Sequence, residues 1–242
     1  MTDLAVVARI GARVDALGGI WMGGPVMAVG SSLGLDGYPW PFYMVGRGGV
    51  LGDVDADTIA EAMVFPSPDL VRSAWAEGRE LLSVDEGVRR FIGCAYTWAP
   101  DAIGAAPNLE RSVELLERLV QSVDCATAPL AAGWRDVPAP GGVPERAAWA
   151  INVLREHRGG LHAGCVVAAG LSPVEAIMAT EGEFMAQMYG WPAPYPDVEA
   201  SKVRKAPVEA ATNELVAQSY RALDSADLVE LANLLENLQP TP

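Results

Sequence analysis

The 242-residue sequence has few cysteines, few histidines and few positive charges. Its three cysteines, Cys94, Cys125 and Cys165, are far apart and form no CxxC pair, which excludes a disulfide scaffold and predicts free thiols in the cytoplasm. Lys and Arg total 17 against 31 Asp and Glu, a net charge of −14. Since affinity for nucleic acid comes largely from cations that neutralise phosphates, this balance disfavours DNA as a partner. Anionic membrane surfaces are disfavoured for the same reason.

Long alternations of polar and apolar residues, which are typical of strands, are also absent, whereas apolar residues recur at helical spacing. One such stripe begins at Leu109, and a second runs from Leu228 to Leu238. Ser83 and Ser172 each precede a glutamate by three residues, the spacing of a capping box, and further N-caps are predicted at Ser67 and Asn108. These patterns predict a mainly α fold with little or no β structure.

Three stretches rich in glycine and proline interrupt the helical pattern, at residues 34–54, 128–144 and 190–207. We expect the first to form a long structured loop or a short β-excursion. The second divides the chain into a predicted N-terminal helical lobe, residues 1–127, and a C-terminal winged-helix-like lobe, residues 128–242. Residues 16–35 carry no charge, but their six glycines and Pro25 favour a tightly packed helix pair in a soluble core over a membrane span.

Residues 154–180 contain the pattern of a helix-turn-helix. The pair Gly159-Gly160 predicts the end of one helix, and a second, rich in small residues, is predicted over residues 162–169. A turn at Gly170-Leu171 then leads into a third helix, which begins at the Ser172 cap.

The letters LREHRG (154–159), followed by His162 and AAGLSPVEAIM (168–178), resemble an actinobacterial family of MarR-like winged-helix proteins described as a helix-turn-helix family. Residues 45–75 and 128–138 extend the resemblance, which covers about a third of the chain. It implies a winged-helix fold and, through that fold, a transcriptional regulator. Two departures from the family pattern are GGLH in place of GDGH, and EGEFMAQMYGWPAPYPD (181–197) in place of the wing-like region.

The charge pattern within this motif argues against DNA binding. No Lys or Arg occurs from Gly159 to Ser201, and the helix that would enter the major groove reads SPVEAIMAT. It offers neither Arg for guanine nor Asn or Gln for adenine. We therefore expect a winged-helix relative that has lost DNA binding.

Both histidines of the chain, His157 and His162, lie in this motif. Glu156 and His157 end an apolar helical face that includes Trp149, and the following residues bring His162 close to them. Glu156, His157 and His162 are therefore candidate acid–base residues. The alternative is a structural network in which Arg155 and Arg158 join them to lock a corner between helices. Two histidines without a third nearby ligand predict no metal site, and no cofactor fingerprint is present.

An aromatic segment followed by Arg47 is a candidate ligand pocket, because aromatic and methionine side chains with one or two polar anchors suit a small, flat or hydrophobic molecule. A plain core or a subunit interface would explain the same residues. Trp149 and Arg158 are candidate additional contacts. The segment supplies Tyr38, Trp40, Phe42, Tyr43 and Met44.

Three functions follow as hypotheses. The first is a binding protein for a small hydrophobic or aromatic molecule, on a MarR-like scaffold without DNA binding. The second is a cofactor-independent enzyme that uses Glu156, His157 and His162 for a cyclisation, isomerisation or hydrolysis, with Arg47 or Arg158 holding an anionic or carbonyl group. The third is a MarR-like regulator, for which a homodimer through the helix at residues 228–238 is expected.

Overall fold

The computed structural model describes residues 3–239, of which most are helical and none forms a strand. This confirms the prediction of a mainly α fold. Two 3-10 turns, Gly48–Leu51 and Tyr220–Ala222, accompany the α-helices. The helices are α1 Leu4–Ile20, α2 Gly24–Ser32, α3 Trp40–Arg47, α4 Ala56–Met63, α5 Pro68–Leu81, α6 Val84–Ile103, α7 Leu109–Ser122, α8 Pro129–Asp136, α9 Val143–Ala168, α10 Pro173–Thr180, α11 Glu183–Met188, α12 Glu199–Ser219 and α13 Ser225–Asn237.

The predicted N-caps explain where several of these helices begin. The hydroxyls of Ser67 and Ser83 accept hydrogen bonds from the backbone of the first turns of α5 and α6. Ser172 and Glu175 form the complete capping box of α10, since each side chain binds the other residue's backbone N–H. Asn108 precedes α7 in a left-handed conformation, φ 57°, and its side chain makes no capping hydrogen bond.

Helix α9 is the central helix of the fold and packs against α1, α6, α7, α8 and α12. A large hydrophobic core surrounds its N-terminal part and runs from Val6 to Leu238, so it draws on both predicted lobes. The division into lobes at residue 128 stays a prediction. A second, small core contains Cys165, Leu171 and Val208 and joins the end of α9 to α10 and α12.

The predicted helix end at Gly159-Gly160 is wrong, because α9 continues through both glycines to Ala168. The reason is tertiary packing: a Cβ on Gly160 would lie 2.7 Å from the Cβ of Ala128, so glycine lets the start of α8 approach α9 closely. The helix-turn-helix consists of the last part of α9 and α10. Gly170, at φ +69°, makes the turn that was predicted between them.

All three predicted interruptions contain helical residues, since α12 begins at Glu199 within the third, and this corrects the expected loop or β-excursion at residues 34–54. Helix α3 lies within that stretch, and α8 lies within residues 128–144. Both helices carry proline in their first turn, where the missing N–H costs no hydrogen bond. The prolines therefore mark helix starts. Residues 181–197, which replace the wing-like region expected from the resemblance, form α11 and an irregular segment.

The C-terminal leucine stripe of α13 is buried within the chain, against α1 and α7. These leucines therefore belong to the intramolecular core, and the homodimer through this helix stays a prediction. Residues 16–35 form the expected helix pair, from the end of α1 through α2. Among residues 3–239, no single helix is long and apolar enough to cross a membrane, although α9 and α10 together meet that criterion as a pair bent by 107°.

Candidate functional site

A cavity of about 370 Å³ lies where the helix-turn-helix meets α3 and α12. Helix α9 supplies its floor, α10 and α12 supply two of its walls, and the segment after α4 supplies a third. Side chains of α1 and the end of α11 complete the lining. The lining residues are Asp15, Tyr43, Arg47, Met63, Phe65, Pro66, Arg155, Arg158, Gly159, His162, Val166, Leu171, Ala176, Ile177, Ala179, Thr180, Glu181, Tyr189, Lys205, Val208 and Glu209.

Aromatic rings form one side of the cavity. Tyr43, Phe65 and Tyr189 line it directly, and the ring of Phe65 lies 6.0 Å from the imidazole of His162. Trp40 supports this side from behind, with its ring centre 5.3 Å from Tyr43 and 5.8 Å from Tyr189. Burial raises the pKa of Tyr189 to about 12, so its hydroxyl is neutral at physiological pH.

Arg47 and Glu156 form a buried ion pair at the floor of the cavity. The Arg47 Nε and Nη2 atoms each donate a hydrogen bond of 2.8 Å to the Glu156 carboxylate, and Nη1 donates to the hydroxyl of Tyr43. Burial opposes ionisation of Glu156, but the charge of Arg47 outweighs it and lowers the pKa of Glu156 below its ordinary value. Glu156 is thus an ionised carboxylate, and both of its oxygens accept hydrogen bonds from Arg47.

His162 and Arg158 share Glu209 on the α12 side of the cavity. Arg158 donates a hydrogen bond of 2.6 Å to Glu209 Oε2, and His162 Nδ1 lies 3.2 Å from the Thr212 hydroxyl and 3.6 Å from Glu209 Oε1. Burial lowers the pKa of His162, and the nearby Glu209 carboxylate partly opposes this effect. A largely neutral imidazole therefore faces the cavity.

His157 lies away from the cavity, among buried side chains. Its ring is fully buried, and Nε2 lies 3.3 Å from the hydroxyl of Ser219. Burial lowers the pKa of His157 to about 4, so it is neutral at physiological pH. In this position, His157 supports the packing of α9 against the end of α12.

The structure brings four of the predicted site residues to the cavity: Tyr43, Arg47, Arg158 and His162. Two others, Tyr38 and Trp40, stack behind its aromatic side. The rest are buried and do not line it. These are Glu156 beneath Arg47, His157 near Ser219, Phe42 and Met44 in the main core, and Trp149, whose indole N–H donates to the backbone carbonyl of Trp134.

Several lining residues were not predicted, among them Asp15, Phe65, Glu181, Lys205 and Glu209. They come from α1, α12 and two connecting segments, and all but Glu181, which directly follows the motif, lie away from it in sequence. The signal in the sequence that could have identified Phe65 is its place in the 45–75 block of the resemblance. In the part of the chain that is described, no group of three or more His, Cys, Asp or Glu residues could hold a metal ion.

Comparison with known proteins assigns the chain to one protein family. A family model with the description "Helix-turn-helix family" matches residues 17–241, which is most of the chain. The matched region contains every residue that lines the cavity except Asp15. No curated protein and no solved structure gives a significant match.

Proposed function

Because the chain belongs to this helix-turn-helix family, we propose that it uses a helix-turn-helix scaffold of MarR-like type to bind a small hydrophobic or aromatic molecule and no longer binds DNA. The cavity beside α10 is the observation that carries this proposal. Its volume of about 370 Å³ falls in the range of small-molecule sites, and its mixture of aromatic walls and a few charged groups is typical of them.

The position of α10 supports the proposal. In a DNA-binding helix-turn-helix, the second helix places its side chains against base edges. Here Ala176, Ile177, Ala179 and Thr180 of α10 line the cavity. The remaining side chains, among them Val174, Glu175 and Met178, include no cation, and the Glu175 carboxylate is held by the capping box. Helix α10 is thus better suited to enclosing a ligand than to reading bases.

The basic residues near the expected wing position also support the loss of DNA binding. They lie on α12 rather than on a wing, and each has another role. Arg204 donates hydrogen bonds of 3.2 Å to the carbonyls of Ala169 and Gly170 in the turn, and Lys202 pairs with Glu199. Lys205 lines the cavity.

The enzyme hypothesis receives less support. Of Glu156, His157 and His162, only His162 lines the cavity, and the Glu156 carboxylate is occupied by Arg47. A general acid or base must reach the proton that it transfers. We therefore propose binding, rather than acid–base chemistry, as the function of the site.

Calorimetric titration with a panel of neutral and charged bicyclic and tricyclic aromatic compounds tests the proposal. Ala179 lines the cavity, so Ala179→Phe should fill it and abolish binding. Ala210→Phe, at an exposed position on α12, is the matched control and should leave binding unchanged. Absence of binding across the panel, or equal binding by the two variants, would contradict the proposal.

A further inference from the structure

Three arginines enter the cavity, and two of them have a committed carboxylate partner. Arg47 is held by Glu156 through two hydrogen bonds, and Arg158 is held by Glu209 through one. Arg155 lies between them on α9 and lines the same cavity. Unlike these two arginines, Arg155 has hydrogen-bond donors in the cavity that no carboxylate of the chain accepts.

Arg155 has two acidic neighbours, but both contacts are poor. Its Nε lies 3.4 Å from Asp15 Oδ1, and its Nη1 lies 3.6 Å from Glu156 Oε1. The Asp15 side chain is 62% exposed, and the Glu156 carboxylate is already used by Arg47. Within residues 3–239, the buried Nε atoms of Arg155 and Arg158 both lack a partner in hydrogen-bonding geometry, but Arg158 donates from Nη2 to Glu209, whereas Arg155 makes no hydrogen bond. Such an unsatisfied buried donor destabilises the unliganded protein and favours an added acceptor.

The side chain of Arg155 is nevertheless held in place by its packing on α1. A Cβ on Gly18 would lie 2.6 Å from Cδ of Arg155, so the arginine stem occupies the space that the glycine leaves. Gly11, seven residues earlier on the same helix, leaves similar space for Arg158. Two glycines of α1 therefore orient two guanidinium groups, which lowers the entropy cost of binding an anion.

The charges are also arranged by depth. The arginines are mostly buried, with Arg155 23% and Arg158 16% exposed, whereas the lining acids Asp15, which pairs weakly with Arg155, and Glu181 are exposed. An anion that enters the cavity meets guanidinium groups inside and competes with the weak contact between Asp15 and Arg155. Guanidinium groups bind carboxylates through two parallel hydrogen bonds, which fixes the orientation of the bound molecule.

We propose that Arg155 binds the carboxylate of a planar aromatic ligand, whose ring lies against the aromatic side of the cavity, and that Gly18 positions Arg155. The inference rests on the proposed function and names its ligand class. Phe65, Tyr43 and Tyr189 supply the surface for the ring. The neutral imidazole of His162 lies beside that surface, next to Phe65.

The test compares 2-naphthoate, which is ionised at neutral pH, with 2-naphthamide, which has the same shape without the charge. By calorimetry, the parent protein should bind naphthoate about tenfold or more tightly than naphthamide, as charge-assisted hydrogen bonds predict. Arg155→Gln should remove that preference, because it should weaken naphthoate binding much more than naphthamide binding. Asp15→Asn, which removes the weak competitor, should tighten naphthoate binding by a few-fold.

Two glycine variants separate position from charge. Gly18→Ala keeps Arg155 but displaces its stem, so it should weaken naphthoate binding more than naphthamide binding. Gly19→Ala, on the same helix but with nothing within 4 Å of the added carbon, is the control and should have no effect. Circular dichroism and thermal melts check that every variant is folded.

The outcomes distinguish the two proposals. If neither probe nor any other panel compound binds, the proposed function fails and the inference fails with it. If both probes bind with equal affinity, or Arg155→Gln weakens both equally, the cavity binds aromatic molecules but Arg155 does not select a carboxylate. Equal effects of Gly18→Ala and Gly19→Ala would overturn the positioning role of Gly18.

Discussion

Arg47 and Glu156, 109 residues apart in sequence, are joined by two hydrogen bonds of 2.8 Å and are largely removed from solvent. This pair fixes α3 against α9 and thereby sets the floor of the cavity. Burial disfavours the charge on either partner, but each holds the other ionised: the pKa of Arg47 is raised and the pKa of Glu156 is lowered. The pair thus has a structural role, and each residue needs the other to stay charged while buried.

We expect Glu156→Gln to lower the free energy of unfolding by about 3–5 kcal/mol, because it leaves the Arg47 guanidinium buried without its carboxylate. The double variant Arg47→Met with Glu156→Leu removes both charges and should be more stable than Glu156→Gln alone. Urea denaturation of the parent and the variants measures both effects. If Glu156→Gln is as stable as the parent, the ion pair contributes nothing measurable to the fold.

The stability of the protein should fall with acidification below pH 6.5. The pKa of His157 is about 4 in the folded protein, against 6.5 for an ordinary histidine, so the unfolded chain binds more protons between these values. His157 should therefore cost about 2 kcal/mol of unfolding free energy between pH 7.5 and 5. His162 acts in the same direction, whereas Glu156 contributes only below its ordinary pKa of 4.5.

Denaturant titrations at pH 7.5 and pH 5 measure this dependence. His157→Gln should reduce the difference between the two pH values by about 2 kcal/mol, and His162→Gln should reduce what remains. Since the chain has only these two histidines, proton NMR of each variant assigns the titration of the other. A measured pKa near 6.5 for His157 would contradict its buried, neutral state.

DNA binding should be absent even at low salt, where phosphate contacts are strongest. Fluorescence anisotropy with a labelled random-sequence duplex should show no saturable change at micromolar protein concentrations and 50 mM salt. A triple variant that places Arg at Val174, Glu175 and Met178 of α10 is the positive test of orientation. If α10 is accessible, this variant should gain weak, salt-dependent binding; binding by the parent would contradict the proposed loss.

The sequence alone predicted most helices, because their signals are local. Apolar spacing identified α7 and α13, and the three serine caps fixed the first residues of α5, α6 and α10. The segments that were predicted wrongly are those in which glycine and proline were taken as breaks. Pro41 and Pro129 lie in first turns, and Gly160 serves a contact with Ala128 that only the folded chain creates.

The candidate site was predicted in part for a similar reason. Tyr43, Arg47, Arg158 and His162 stood out because they lie in or beside recognisable segments, and all four reach the cavity. Glu209, the partner of Arg158 and His162, comes from α12, and Gly18 and Asp15 come from α1, so no local pattern relates them to α9. The packing of helices that are distant in sequence determines which acid contacts which arginine. In this packing, Arg158 pairs with Glu209, and Arg155 has only a weak contact with Asp15.

The adjacent glycines of α9 provide a sharp test of its continuity. In the interior of a helix, Gly159→Ala should raise the unfolding free energy by up to about 1 kcal/mol, since an added carbon at this position meets nothing within 4 Å. Gly160→Ala should instead lower it by about 1–3 kcal/mol, because its Cβ would lie 2.7 Å from the Cβ of Ala128. Thermal and urea denaturation of both variants measure the difference. A helix that ended at this pair would give the opposite result for Gly159, because a terminal glycine in the left-handed conformation is destabilised by alanine.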